Sequence, residues 1–229
     1  LILGVVGIIY GALVAMVQVD MKKLVAYSSV SHMGYVMLGL FVFNIYGLSG
    51  SLFQMLAHGV STGGLFVLVG MLYERTHSRE IAKYGGLAKA LPVFSICFLI
   101  VTFSSIAVPM TNGFVGEFLV LLGAFHAVKI IGAFAVLGVI FGAAYMLWMV
   151  KKIFFGPAGE IVEHHPEMKD LNWREKATMA PILILIFWMG LFPNQFLSWS
   201  DASLKNLNDN HGQYQLKVSG IEEELPPPE

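Results

Sequence analysis

From Leu1 to Val19 the chain is apolar and uncharged, and that run stops at Asp20-Met21-Lys22-Lys23. From Leu24 to Tyr73 there is again no Asp, Glu, Lys or Arg. That stretch is too long for one membrane-length helix of roughly 20 residues, and the turn-forming segment Asn44-Ile45-Tyr46-Gly47-Leu48-Ser49-Gly50 divides it in two. The polar segment YERTHSREIAKYGGLAK follows, and then an apolar stretch from Ala90 to about Phe125 interrupted by Pro109 and Asn112-Gly113. Proline lacks the N–H a helix interior needs, so the pattern predicts one broken helix there. Ile130 to Val150 and Ala177 to Ser200 are two more apolar runs. The predicted elements are helices near 1–19, 24–44, 49–73, 91–126 (broken) and 130–154, a loop over 156–176, a last membrane helix over 177–200 and a polar, acidic tail over 201–229. The end of that tail, GIEEELPPPE, is expected to be disordered or to lie along a partner.

Positive charge chooses between one broken crossing and two short ones. With a single interrupted crossing, eleven of the fourteen Lys and Arg fall on the side that holds Lys22 and Lys23. With two separate crossings the split is nine to five. The positive-inside rule favours the first arrangement, with six crossings, most Lys/Arg loops in the cytoplasm and the C-terminal tail outside. A break at membrane depth must be buried in protein or line a wet cavity, because lipid cannot satisfy the freed backbone.

Composition agrees. The 229 residues are 56% hydrophobic and only 13% charged, with a mean hydropathy of +0.71, which points to an integral membrane protein of the all-α, polytopic helical-bundle class. A net charge of -1 gives no reason to expect nucleic acid as a partner. The single cysteine, Cys97, excludes a disulfide framework. The first residue, Leu1, lies inside an apolar run, which suggests a fragment without a signal peptide. His126-Ala127-Val128-Lys129 and His164-His165 lack metal-ligand spacing, so neither a metal nor a cofactor is expected in this chain.

Three ionisable side chains fall well inside predicted spans: His32, His58 and Glu117. Ser28, His32 and Tyr35 share one helical face, and Gln54, His58 and Thr62 repeat the pattern on the next helix. Gly59, Gly63 and Gly64 allow close approach of another helix or of water. Glu117 follows the break, with Pro109 and Gly113 as hinge residues. A membrane-embedded carboxyl costs several kcal/mol and rarely persists without a partner or a water path. Imidazole and carboxyl groups can both change protonation near physiological pH, so the three residues suit a proton or ion relay. Lys22 and Lys23 read as interface anchors or as a cytoplasmic proton entrance. The competing reading is structural: polar groups that only bind helices together.

DMKKLVAYSSVSHMGYVMLG, QMLAHGVSTGGLFVLVGMLYERTHSRE and VPMTNGFVGEF resemble the subunit M, or chain 4, family of proton-pumping NADH:quinone oxidoreductase, respiratory complex I. SVSHMG is similar to the antiporter-like subunits generally, and YERTHSR together with the Glu of GEF to this family in particular. The resemblance implies a C-terminal fragment that holds the second of two inverted five-helix repeats plus the final helix. It implies that His32 and His58 are central-axis histidines and that Glu117 is the terminal ionisable group of a half-channel. It also implies a bacterial inner membrane, other membrane subunits of the complex as partners, especially neighbouring antiporter-like ones, and flavin, iron-sulfur clusters and quinone in partner subunits. Three functions compete: a proton-translocating subunit of complex I, a subunit of a multi-chain cation/proton antiporter or energy-converting hydrogenase, and a non-conducting structural spacer.

Overall fold

The computed structural model describes residues 1–165 and 167–219. Ten α-helices succeed one another: α1 (Ile2–Met16), α2 (Met21–Phe41), α3 (Ile45–Thr76), α4 (Leu87–Ala90), α5 (Pro92–Ser105), α6 (Asn112–Ala127), α7 (Lys129–Phe154), α8 (Glu160–His164), α9 (Trp173–Leu191) and α10 (Pro193–Ser219). Among the described residues there is no β-strand, only an isolated bridge between Asp20 and Glu80. α2, α3 and α7 are each long and apolar enough to cross a membrane, while α1, α5 and α6 are apolar but shorter.

Glycine and hydroxyl contacts hold the long helices together. A methyl group on Gly11 would meet the Ser31 amide at 2.6 Å, and one on Gly34 would meet the Ile8 amide at 2.6 Å, so α1 and α2 touch backbone to backbone. The Ser31 hydroxyl donates to the Ile8 carbonyl at 2.8 Å across that seam. α2 and α3 meet at Gly39 and Gly47, where the Ser51 hydroxyl donates to the Val36 carbonyl at 2.9 Å. α3 meets α6 at Gly50, Gly116 and Gly123, and the Asn44 amide nitrogen donates to the Gly123 carbonyl at 2.8 Å. Lipid is as apolar as leucine, so close packing and interhelical hydrogen bonds replace the hydrophobic drive of a soluble core. The largest apolar cluster fills the other end of the bundle, where Phe94, Phe98 and Phe154 stack among α5 and α7.

Polar clasps close the end that carries the loops. Asp20 caps α2 by accepting from the Lys22 and Lys23 amides, and pairs with Arg79 at 3.4 Å. Asp170 accepts from the Val93 and Phe94 amides at 2.7 and 3.0 Å, which satisfies the first turn of α5. Arg75, in the last turn of α3, donates to Glu175 at 2.6 Å and to the Lys169 carbonyl at 3.1 Å. Asn172 and Glu175 form a reciprocal capping box at the start of α9.

The structure departs from the expected boundaries in three places. Asn44 accepts from the Gly47 amide and caps α3, so the supposed turn over 44–50 is largely helix and only 42–44 turn the chain. The loop after α7 carries the short helix α8 and is tied back by the Gly159 amide to the Gly85 carbonyl at 3.2 Å. The run over 177–200 is not one helix: α9 stops at Leu191, α10 starts at Pro193, and the pair bends by 70°. Pro193 has no N–H, and it drives Phe192 out of helical geometry, to φ -123° and ψ 53°. α10 then continues through much of the segment expected to be a tail. GIEEELPPPE, at 220–229, lies outside the described residues.

Two outcomes follow from the packing and the clasps. A methyl group on Gly39 would stand 2.7 Å from the Gly47 carbonyl, whereas one on Gly70 meets nothing within 4 Å in this chain. Gly39→Ala is expected to destabilise the bundle by about 1–3 kcal/mol and Gly70→Ala to leave it unchanged, read as thermal melting of the full-length protein in detergent. The Arg75 hydrogen bond holds the Glu175 carboxyl, in the charged turn ahead of the apolar run, below its ordinary value. A depressed carboxyl stabilises the fold fully above its unfolded value, near 4.3, and the contribution disappears as pH falls through the folded value. Wild type is therefore expected to exceed Glu175→Gln by about 1–2 kcal/mol at pH 7, with the gap closing on acidification below about pH 4 in pH-dependent melts.

Candidate functional site

Three helices bring the buried ionisable groups to one point. His32 stands midway along α2, Gln54 and His58 sit one turn apart on α3, and Glu117 lies in the second turn of α6, just beyond the break. His32 Nε2 is 3.6 Å from Glu117 Oε1. Gln54 Nε2 donates to the same carboxyl oxygen at 3.2 Å. The His32 and His58 rings meet edge to face with centroids 5.2 Å apart. His32 and Glu117 are buried and His58 half-buried. Gly116 makes the contact possible: a methyl group there would come within 2.8 Å of the Gln54 Cα.

The supporting residues divide. The Thr62 hydroxyl bonds the His58 ring at 3.1 Å. The Tyr35 hydroxyl donates to the Ala135 carbonyl of α7 at 2.8 Å. Ser28 is buried one turn below His32 and donates back to the Val25 carbonyl at 2.7 Å. Lys22 and Lys23 remain exposed at the start of α2 and do not join the cluster. Pro109 lies in the interruption between α5 and α6, flanked by Ala107 and Met110 at φ +56° and +76°, a left-handed backbone costly for side-chain-bearing residues. Gly113 packs against the Ser104 carbonyl and Gly190 of α9 against the Met110 carbonyl, so protein lines one side of the break while the Pro109 and Met110 side chains stay exposed.

Ser61, Ser104, Ser105 and Tyr145 were not among the residues the sequence pointed to, and Asn112 had marked only the helix break. Asn112 binds the break to α3: its amide nitrogen donates to the Ala57 carbonyl at 3.2 Å, and its oxygen receives the Ser104 hydroxyl and, at 3.3 Å, the Ser61 hydroxyl. The Ser61 and Ser104 hydroxyls are also 2.5 Å apart, so at any moment one donates to the other and the other to Asn112 Oδ1. Ser105 and Tyr145 are buried beside His32 and Glu117. Ser61 stands three residues after His58, and the Ser104-Ser105 pair ends α5; those are the signals that could have revealed them.

Two small cavities adjoin the cluster, each with about 10 Å³ of free space, near the size that admits one water. The first lies among His32, Tyr35, Ser105, Glu117 and Tyr145. The second lies among His32, Gln54, His58, Ser61, Ser104 and Ser105. Imidazole and carboxyl can share one proton between Nε2 and Oε1, and the pair is neutral overall whichever atom holds it. Among the described residues, no group of three or more His, Cys, Asp or Glu is placed to hold a metal ion.

Comparison with known proteins identifies the family. The family model described as NADH:quinone oxidoreductase/Mrp antiporter, TM, matches residues 1–142. The NADH-quinone oxidoreductase subunit M of Rickettsia typhi is 46% identical over 205 residues, covering 90% of this chain and 41% of that protein. A chain of respiratory complex I from Thermus thermophilus superposes with a TM-score of 0.80 at 39% identity, over 90% of this chain and 44% of that one. A chain of the Mrp complex from Dietzia has the same fold, with a TM-score of 0.80 at 24% identity over 93% of this chain and 48% of that one. The chain thus spans less than half the length of the relatives it matches. It belongs to the transmembrane family of NADH:quinone oxidoreductase and Mrp antiporter subunits.

Proposed function

We propose that the chain is part of a proton-translocating membrane subunit of NADH-quinone oxidoreductase. The observation that carries the reading is the buried His32–Glu117 pair, 3.6 Å apart, with His58 edge-on to the imidazole and Gln54 on the carboxyl. Protons move among His32, His58 and Glu117, while Ser28, Tyr35, Gln54 and Thr62 orient those groups or carry hydrogen bonds between them. Pro109 and Gly113 set the break that brings Glu117 to this depth. Lys22 and Lys23 serve at the membrane surface, away from the relay. The loops rich in Lys and Arg face the cytoplasm of a bacterial inner membrane, and the C-terminal segment faces outward. Redox energy is released in partner subunits, which hold the flavin, iron-sulfur clusters and quinone. It reaches this chain as a change in the charge surrounding the pair, which alters where the shared proton rests. Neighbouring antiporter-like subunits take part in the same movement. The chain is thus a working part of a translocase without a redox centre of its own.

The family description and the Mrp likeness support a second reading, a subunit of a multi-chain cation/proton antiporter using the same relay. Co-purification separates the two: flavin and iron-sulfur proteins accompany the first, and a small set of membrane subunits the second. In the full-length protein within its purified complex, Glu117→Gln is expected to lower proton pumping and coupled turnover by about tenfold or more. Electron input to artificial acceptors should persist. Unimpaired pumping in that variant would remove the role assigned to Glu117. Loss of assembly with normal pumping in the assembled fraction would make the polar cluster a structural spacer.

A further inference from the structure

His32 and Ser105 are the two residues that line both small cavities, so together they form the wall between them. Both carry a buried polar atom with no hydrogen-bond partner among the described residues: Nδ1 of His32 and Oγ of Ser105. Native structures rarely leave such atoms unsatisfied. The backbone adds a third group. The carbonyl of Ser105 would receive the N–H of residue 109 in an unbroken helix, but residue 109 is proline. The Val108 amide turns to the Phe103 carbonyl instead, at 3.0 Å. Among the described residues, no loop or turn amide donates to the freed Ser105 carbonyl. The proline therefore does more than interrupt the helix: it leaves Ser105 with two hydrogen-bonding groups at the partition between the cavities.

We propose that Ser105 is a bridging residue, its hydroxyl passing protons between a water in the Glu117 cavity and a water in the His58 cavity, alongside His32. The inference rests on the relay reading above and adds one member to it. In each transfer the first water takes a proton from Glu117 as it gives one to Ser105 Oγ, and the second water takes the Ser105 hydroxyl proton as it gives one to His58, so both waters end neutral. One O–H bond forms on Oγ while another breaks, so the hydroxyl ends neutral and one proton has crossed. Ser61 and Ser104 also line the second cavity, and their hydrogen bonds with each other and with Asn112 fix the depth of Ser105 by tying the end of α5 to α3.

The test uses the complete complex reconstituted in liposomes, with Ser105→Ala, Ser105→Cys and Ser105→Thr beside Glu117→Gln. Ala and Cys keep the size of the residue and remove an effective hydroxyl, and each is expected to lower pumping about tenfold, the scale of one lost buried hydrogen-bond partner. Thr retains the hydroxyl and should retain pumping. The solvent deuterium isotope effect on coupled turnover should rise in Ala and Cys, a change that a merely structural role would not produce. Should Ala fail to assemble, Cys carries the same comparison. Ala or Cys complexes that pump at the wild-type rate while Glu117→Gln does not would overturn the bridge and leave the relay standing. Normal pumping in Glu117→Gln as well would remove the relay itself.

Discussion

One constraint orders this molecule: inside an apolar layer a polar group finds its partner in the protein or has none. Every seam between the long helices obeys it. Ser31 bonds a carbonyl of α1, Ser51 a carbonyl of α2 from α3, Tyr35 a carbonyl of α7 and Asn44 a carbonyl of α6. The glycines follow from the same rule. A hydroxyl reaches a neighbouring backbone carbonyl at 2.8–2.9 Å only if the two backbones nearly touch. Gly11, Gly34, Gly39 and Gly50 supply that approach, so the glycine positions and the hydrogen bonds are two parts of a single packing solution.

The break between α5 and α6 is where the constraint turns chemical. Ending a helix inside the bundle frees backbone groups, and several find partners within the break itself: the Val108 amide donates to the Phe103 carbonyl, the Thr111 amide and hydroxyl to the Val108 carbonyl, and the Gly113 amide to Asn112 Oδ1. Among the described residues, three of the four buried side-chain atoms without a partner sit beside the ionisable groups: His32 Nδ1, Gln54 Oε1 and Ser105 Oγ, the fourth being Thr102 Oγ1. Seams that only hold helices together leave few loose ends. A site whose protons rearrange needs acceptors that are free in one arrangement and occupied in the next, and this cluster has them.

Much of this was legible in the residues, for identifiable reasons. A charge or imidazole inside twenty apolar residues is costly, so His32, His58 and Glu117 stood out without structural help. Proline and Asn-Gly in the fourth apolar run marked the break because their backbone chemistry leaves little choice. Serines stayed hidden because hydroxyls are cheap in membrane helices, where they can bond their own carbonyls, as Ser28 does with Val25. The chain gives no local sign that Ser105 is instead unpaired. The bend at Pro193 was missed because hydropathy measures composition and not direction: Phe192, Phe196 and Trp199 keep the run apolar while the helix axis turns by 70°. Membrane topology rests on loop charges, whereas the meeting of three groups from three helices depends on register, which only the glycine contacts determine.

The pairing of a carboxyl with an imidazole, instead of with lysine or arginine, sets what the site can do. A guanidinium beside Glu117 would hold a permanent ion pair and fix the carboxylate in its charged form. His32 offers a partner that gives up its charge when the carboxyl takes the proton, so the pair passes between an ionic and a neutral arrangement without changing net charge. In a low-dielectric interior, changing net charge is the expensive event and redistributing it is far cheaper. Gln54 donates to the carboxyl oxygen, and the half-buried His58 stands edge-on to the His32 ring. The charges around the pair therefore decide which arrangement it takes. That property is what the proposed role in proton translocation requires.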